Sequence, residues 1–146
     1  MSARIDRVLR GYLWVLMGGL LIQGVGSLLF RLIPALPAGM PLLVRGAFGI
    51  DFWHAWIHIV WGLVGLALLR LAPTRVIPIR LALIFGLFYT ALGFWGVLAH
   101  HPLGLELDLP ENLFHLTAGP LTLLLGVLAM LEPRLHRPGL AHERGS

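Results

Sequence analysis

The chain has 146 residues, 58% of them hydrophobic and 12% charged, with no Cys, where soluble domains average about 45–50% apolar and about 25% charged residues. The apolar residues fall into four blocks without formal charge, 11–30, 52–69, 81–99 and 112–131, each close to the ~20 residues a helix needs to cross about 30 Å of hydrocarbon. These blocks take up more than half of the chain, which excludes a soluble enzyme, a nucleic-acid binder and a disulfide-stapled secreted module; the net charge of +4 has its origin elsewhere, in the links between the blocks.

In chain order, residues 1–10 carry Arg4, Arg7 and Arg10 and read as a basic interfacial start. The first span is expected at about 11–33. Its apolar run is longer than the roughly 7–15 residues of a signal-peptide core, so a retained helix is expected. Residues 31–51 form the longest link, punctuated by Pro34, Pro37, Gly39 and Pro41, with an apolar part at 40–50 suited to an interface. The second span is expected at 51–71. A basic turn broken by Pro73 and Pro78 follows, then a third span at 78–100. A short acidic link holds Glu106 and Asp108, the fourth span runs over 110–131, and 132–146 reads as a polar tail.

All eleven basic residues are Arg. Nine of them lie in the N-terminal segment, around the link between spans two and three, or after span four; only Arg31 and Arg45 lie on the other side, with Asp51, Glu106, Asp108 and Glu111. The positive-inside rule then puts both termini in the cytoplasm. The expectation is an all-α, integral membrane four-helix bundle in a bacterial inner membrane, a single domain over residues 1–146.

The chain also reads as an internal repeat. One offset relates Asp51 to Asp108, His58 to His115 and Gly62 to Gly119, which suggests two tandem helical hairpins in the same orientation. Small and polar residues recur at helical spacing on one face of each span: Asp51, His54, Ala55, His58, Gly62 and Gly65 in the second, Glu111, His115, Ala118, Thr122 and Gly126 in the fourth. Ala82, Gly86, Thr90 and Gly93 do so in the third, and Gly19, Gln23 and Ser27 in the first. Small residues let helix backbones approach where lipid supplies no hydrophobic drive.

Histidine carries what chemistry the sequence offers. His54 and His58 stand four apart, the spacing that lets one helix face chelate a metal ion. His58 and His115 each follow an Asp by seven residues, about 10 Å along a helix, and so share a depth. His100 and His101 close the third span on the same side. Ionisable groups inside a membrane are costly and raise a functional hypothesis. Two ligand sets are expected: a cofactor held by His58 and His115, or a metal ion held by His54, His58 and His115. The group would be haem b, a transition metal or a chlorophyll-type pigment. Neutral His also hydrogen-bonds across helices and fixes packing, with Gln23 and Tyr89 as the mid-membrane partners. Asp51 and Asp108 read as helix N-caps, and Asp108 with Glu111 matches a capping box.

No nucleophile and base stand in an arrangement suited to catalysis, so no catalytic residue is expected and the chain reads as a non-enzyme. Its partners are the lipid bilayer and other membrane-protein subunits. The function expected from the sequence is an accessory or scaffolding subunit of a larger membrane complex. A His-ligated site near the extracytoplasmic side is the alternative, and a small transporter is third.

The runs DFWHAWIHIVWGLVGLALLR (51–70), FYTALGFWGVLAHH (88–101) and DLPENLFHLTAGPLTLLLGV (108–127) resemble bacterial four-helix membrane proteins of domain-of-unknown-function family 4383. The resemblance rests on His54, His58 and Gly62 in span two and on Glu111, Asn112 and His115 opening span four. Ala55 and Glu111 stand where that family often has Asn and Asp. The resemblance implies the four-span topology and brings no activity with it.

Overall fold

The computed structural model describes residues 2–71, 74–99, 102–105 and 107–135. His100, His101, Glu106 and the tail from His136 onward lie outside the described residues, so the expectations placed on them stay on the sequence. Every regular element among the described residues is helical: α1 (Ser2–Leu32), α2 (Ala35–Ala38), α3 (Leu42–Ala47), α4 (Phe52–Leu71), α5 (Val76–Leu98), a 3-10 turn (Pro102–Gly104) and α6 (Leu109–Leu135).

Four of these, α1, α4, α5 and α6, are long and apolar enough to cross a membrane. Their outward faces carry Val15, Ile22, Trp53, Val60, Ile84 and Phe94, all exposed. Apolar exposure on this scale is out of place on a monomer in water and suits lipid. Two helices outrun their expected bounds. The basic start is not a separate segment but the first turns of α1, whose 31 residues span about 46 Å. α6 continues to Leu135.

The tightest packing joins successive long helices, α1 with α4 and α5 with α6, so the bundle is made of two hairpins. α1 also packs on α6 and α5, while α4 and α5 touch little. That order puts α4 and α6 on a diagonal. Glycine sets the closeness within each hairpin. A Cβ on Gly62 would stand 2.9 Å from the Met17 carbonyl oxygen, and one on Gly119 would stand 2.5 Å from the Thr90 nitrogen. Both neighbours are backbone, so neither can step aside.

The small-residue faces of α4, α5 and α6 point inward as expected, with His54, Ala55, His58, Gly62 and Gly65 buried on α4. In α1 the expectation needs correction. Gly19 is exposed and nothing lies within 4 Å of its Cβ position; the buried stripe is Leu13, Met17, Leu20, Gly24 and Ser27. Large apolar side chains fill the inner face of α1, because its partner α4 already supplies the glycines.

The apolar core lies towards the end of the bundle where α1 begins and α6 ends. Leu9, Leu13, Met17, Leu69, Leu81 and Phe85 are buried there, with Tyr89 at its upper edge. Arg75, at the N-terminus of α5, closes that end: its Nε lies 2.6 Å from Asp6 Oδ2, one Nη2 donates to the Ala129 carbonyl at 2.7 Å, and Glu132 Oε2 is 3.8 Å away. Arg10 donates to the Leu69 carbonyl at the C-terminus of α4, where a cation meets the negative end of the helix dipole. Midway, the Tyr12 and Thr122 hydroxyls are 2.8 Å apart and tie α1 to α6.

Candidate metal centre

The far end is organised by two helix starts. The His54 backbone N–H donates to Asp51 Oδ1 at 2.9 Å, which caps α4. At α6 the capping box is reciprocal: the Glu111 N–H donates to Asp108 Oδ1 at 3.3 Å and the Asp108 N–H to Glu111 Oε2 at 3.1 Å. Both aspartates therefore do what their positions in the sequence indicate. Each cap fixes the first turn of its helix, and with it the direction of the histidines that follow.

Those histidines converge. His54 and His58, one turn apart on α4, have ring centroids 4.5 Å apart, and His54 lies 5.3 Å from His115 across the diagonal. One ring nitrogen from each of the three can be chosen so that all lie within 4.8 Å of one another. The three side chains are 1%, 1% and 0% exposed. An ion bound at about 2.1 Å by three imidazoles in tetrahedral geometry needs nitrogens about 3.4 Å apart, so the rings must draw in from the 4.8 Å over which they spread.

None of the six ring nitrogens has a hydrogen-bond partner among the described residues. A neutral imidazole has one donor and one acceptor, and each buried group left unmade costs about 1–3 kcal/mol. Neither sequence-expected partner supplies a bond. Gln23 donates instead to the Ala47 carbonyl at 2.8 Å. Tyr89 packs its ring on His58 and His115, with centroids 6.1 and 4.9 Å away, while its hydroxyl has no partner either. The idea that these two groups hold the histidines by hydrogen bonding is thus corrected: they are neighbours by packing or by lining.

Two carboxylates do approach. Glu111 Oε1 lies 3.7 Å and Asp51 Oδ2 4.0 Å from His54 Nδ1. Carboxylates on that side direct the other nitrogen, Nε2, towards a ligand, the arrangement that orients metal-bound histidines. The role of Glu111 beyond capping was missed at the level of sequence, although a signal existed. Glu111 follows Asp108 by three residues, just as His54 follows Asp51, so the two share a depth on facing helices.

A cavity of about 330 Å³ reaches the cluster. All three histidines border it, together with Gln23, Glu111 and Phe114, and the short helix α3 forms its outer wall through Leu42, Leu43, Gly46 and Ala47. The sequence had marked this link only as interfacial. The chain matches no family profile, no curated protein and no solved structure, so the site must be read from its own geometry.

Proposed function

We propose that this protein is a small multi-pass membrane protein whose His54, His58 and His115 hold one transition-metal ion near the extracytoplasmic surface. The observation that carries the reading is the convergence of three buried imidazoles with no hydrogen-bond partner for any ring nitrogen among the described residues. Three imidazoles suit Zn²⁺, Cu²⁺ or Fe²⁺, and three protein ligands leave a coordination position open. An ion fits better than haem or a chlorophyll-type pigment. A macrocycle between His58 and His115 needs a flat slot, and the rings of His54 and Tyr89 pack against both residues there.

Both termini are cytoplasmic in this reading, in a bacterial inner membrane, which the Arg distribution supports. Reporter fusions after Arg75 should read cytoplasmic and fusions after Gly39 and Leu105 external; a cytoplasmic signal at Leu105 would sink the four-span topology. The family resemblance through His54, His58, Gly62 and His115 favours the same topology. So does the repeat: Gly62 meets Leu21 as Gly119 meets Thr90, and Gly24 meets Ile59 as Gly93 meets Leu116.

Metal analysis and an absorption spectrum of the detergent-purified protein test the centre. One Zn²⁺ or Co²⁺ per chain is the expected result, without a Soret band. A Soret band, or no stoichiometric metal after loading, overturns it.

One observation favours the accessory-subunit reading alongside. A groove of about 470 Å³ lies against α4 and α5, lined by Trp53, Trp56, Trp61 and Phe88, an apolar surface on which side chains of a partner helix can pack. Migration as a monomer in mild detergent, unaltered by Trp56→Ala, would count against that role.

A further inference from the structure

We infer that a small pocket at the end where α1 begins holds the phosphate group of an anionic phospholipid. The inference is independent of the metal and rests only on the placement of the four long helices across a membrane. The pocket has a volume of about 130 Å³ and lies between the first turns of α1 and the start of α5. Arg7, Arg10 and Arg75 line it with Asp6 and with Leu9 and Pro78, both buried.

Depth puts this pocket among headgroups. The uncharged run 11–30 takes up the ~30 Å of hydrocarbon at ~1.5 Å per residue. The turns of α1 that carry Asp6, Arg7 and Arg10 therefore stand outside it, at the level of lipid phosphates. Val8 and Val76, each next to a pocket arginine in sequence, are 53% and 50% exposed. The glycerol end of an acyl chain can cover them, whereas a free phosphate ion covers neither.

The cations are in place before a ligand arrives. Arg75 is tied to Asp6 on α1 at 2.6 Å and to the Ala129 carbonyl on α6 at 2.7 Å. Arg10 is tied to the Leu69 carbonyl on α4. Guanidinium groups anchored on other helices leave little ordering to be done on binding. Charge then selects the class of lipid. Glu132 also lies 3.8 Å from Arg75, and residues 2–10, 70–80 and 132–135 hold seven arginines against Asp6 and Glu132. A zwitterionic headgroup brings its own cation into that excess, and an anionic one does not; basic pockets between membrane helices take such headgroups.

Native mass spectrometry of the whole chain in detergent, with lipid added, tests the site through the concentration at which one lipid stays bound. Phosphatidylglycerol should bind about tenfold more tightly than phosphatidylcholine with the same chains. Arg7→Gln should weaken phosphatidylglycerol about tenfold, the worth of a charge-assisted hydrogen bond. Arg80→Gln removes the same charge outside the pocket and should weaken it less than about twofold, because screened charges act weakly. Both arginines are exposed, so neither change disturbs the packing. Equal binding of the two lipids, an Arg7→Gln effect no larger than that of Arg80→Gln, or displacement of the lipid by inorganic phosphate each overturn this inference and leave the metal centre standing. A chain that stays dissolved without detergent overturns the membrane placement as well.

Discussion

The two ends of the bundle bury polar groups in opposite ways. At the end where α1 begins and α6 ends, Glu132 is 3% exposed, and Arg75 reaches it together with Asp6 and the Ala129 carbonyl. The charges of three helices answer one another there, above a core of leucine, methionine and phenylalanine. At the far end the three imidazoles and the Tyr89 hydroxyl are buried with no hydrogen-bond partner among the described residues, while Ser27 and Asn112, also buried there, donate to the Gln23 and Leu107 carbonyls. Among the described residues, carboxylates come within 4.0 Å only of His54 in this cluster. Buried polar groups in native proteins are nearly always satisfied. At one end the buried carboxylate of Glu132 has a guanidinium 3.8 Å away; at the other, no charged group among the described residues stands within 4.0 Å of His58 or His115.

The largest expected effect tests the frame that both ends share. Gly62→Leu and Gly119→Leu each push a side chain into the backbone of the adjoining helix and should cost about 3 kcal/mol or more, read as a loss of thermal stability in detergent. If both variants melt like the parent, the assigned interfaces are wrong. Next comes the far end. His58→Ala and His115→Ala should each lower Zn²⁺ affinity at least a hundredfold, about 2.7 kcal/mol, in a competition titration. His136→Ala, in the tail, should leave it unchanged.

A sharper contrast between the ends comes from metal-free protein. Arg75→Leu removes a neighbour of a buried carboxylate and should cost about 2 kcal/mol, below the usual figure for a fully buried pair because Arg75 is 35% exposed. His58→Leu replaces an imidazole that makes no hydrogen bond, so its metal-free stability should stay within about 1 kcal/mol of the parent. A large loss on His58→Leu without metal would mean that the histidines are packing residues, and the difference between the ends would vanish. The smallest effect belongs to Glu111→Gln. Gln keeps the capping box and removes the charge beside His54, so Zn²⁺ affinity should fall about tenfold with little change in melting temperature. An unchanged affinity would confine Glu111 to its cap.

Much of this architecture is legible in the order of residues alone. Four uncharged apolar runs set the helices, because a chain in hydrocarbon must satisfy its backbone within each segment. Asp51 and the Asp108–Glu111 pair mark where α4 and α6 begin, since their short side chains take up the free N–H groups of the first turn. Spacing at 3.6 residues per turn puts His54, His58 and Gly62 on one face. A helical pattern, however, describes a helix only relative to itself. It carries no information on which neighbour a stripe meets or how each helix is rotated against the others. For that reason the pattern alone puts Gly19 on the inside of α1, where Leu13, Met17 and Leu20 pack instead. Only tertiary packing put α4 and α6 on a diagonal, with α1 on one side closing the distance through Gly24 and Gly62. That arrangement brings His115 and Glu111 to His54 from a helix more than fifty residues away in sequence. It also lays α3, an unremarkable stretch of the longest link, over the opening. The donors were present in the sequence, while their convergence and the cavity beside them depend on close helix contacts that no local pattern records.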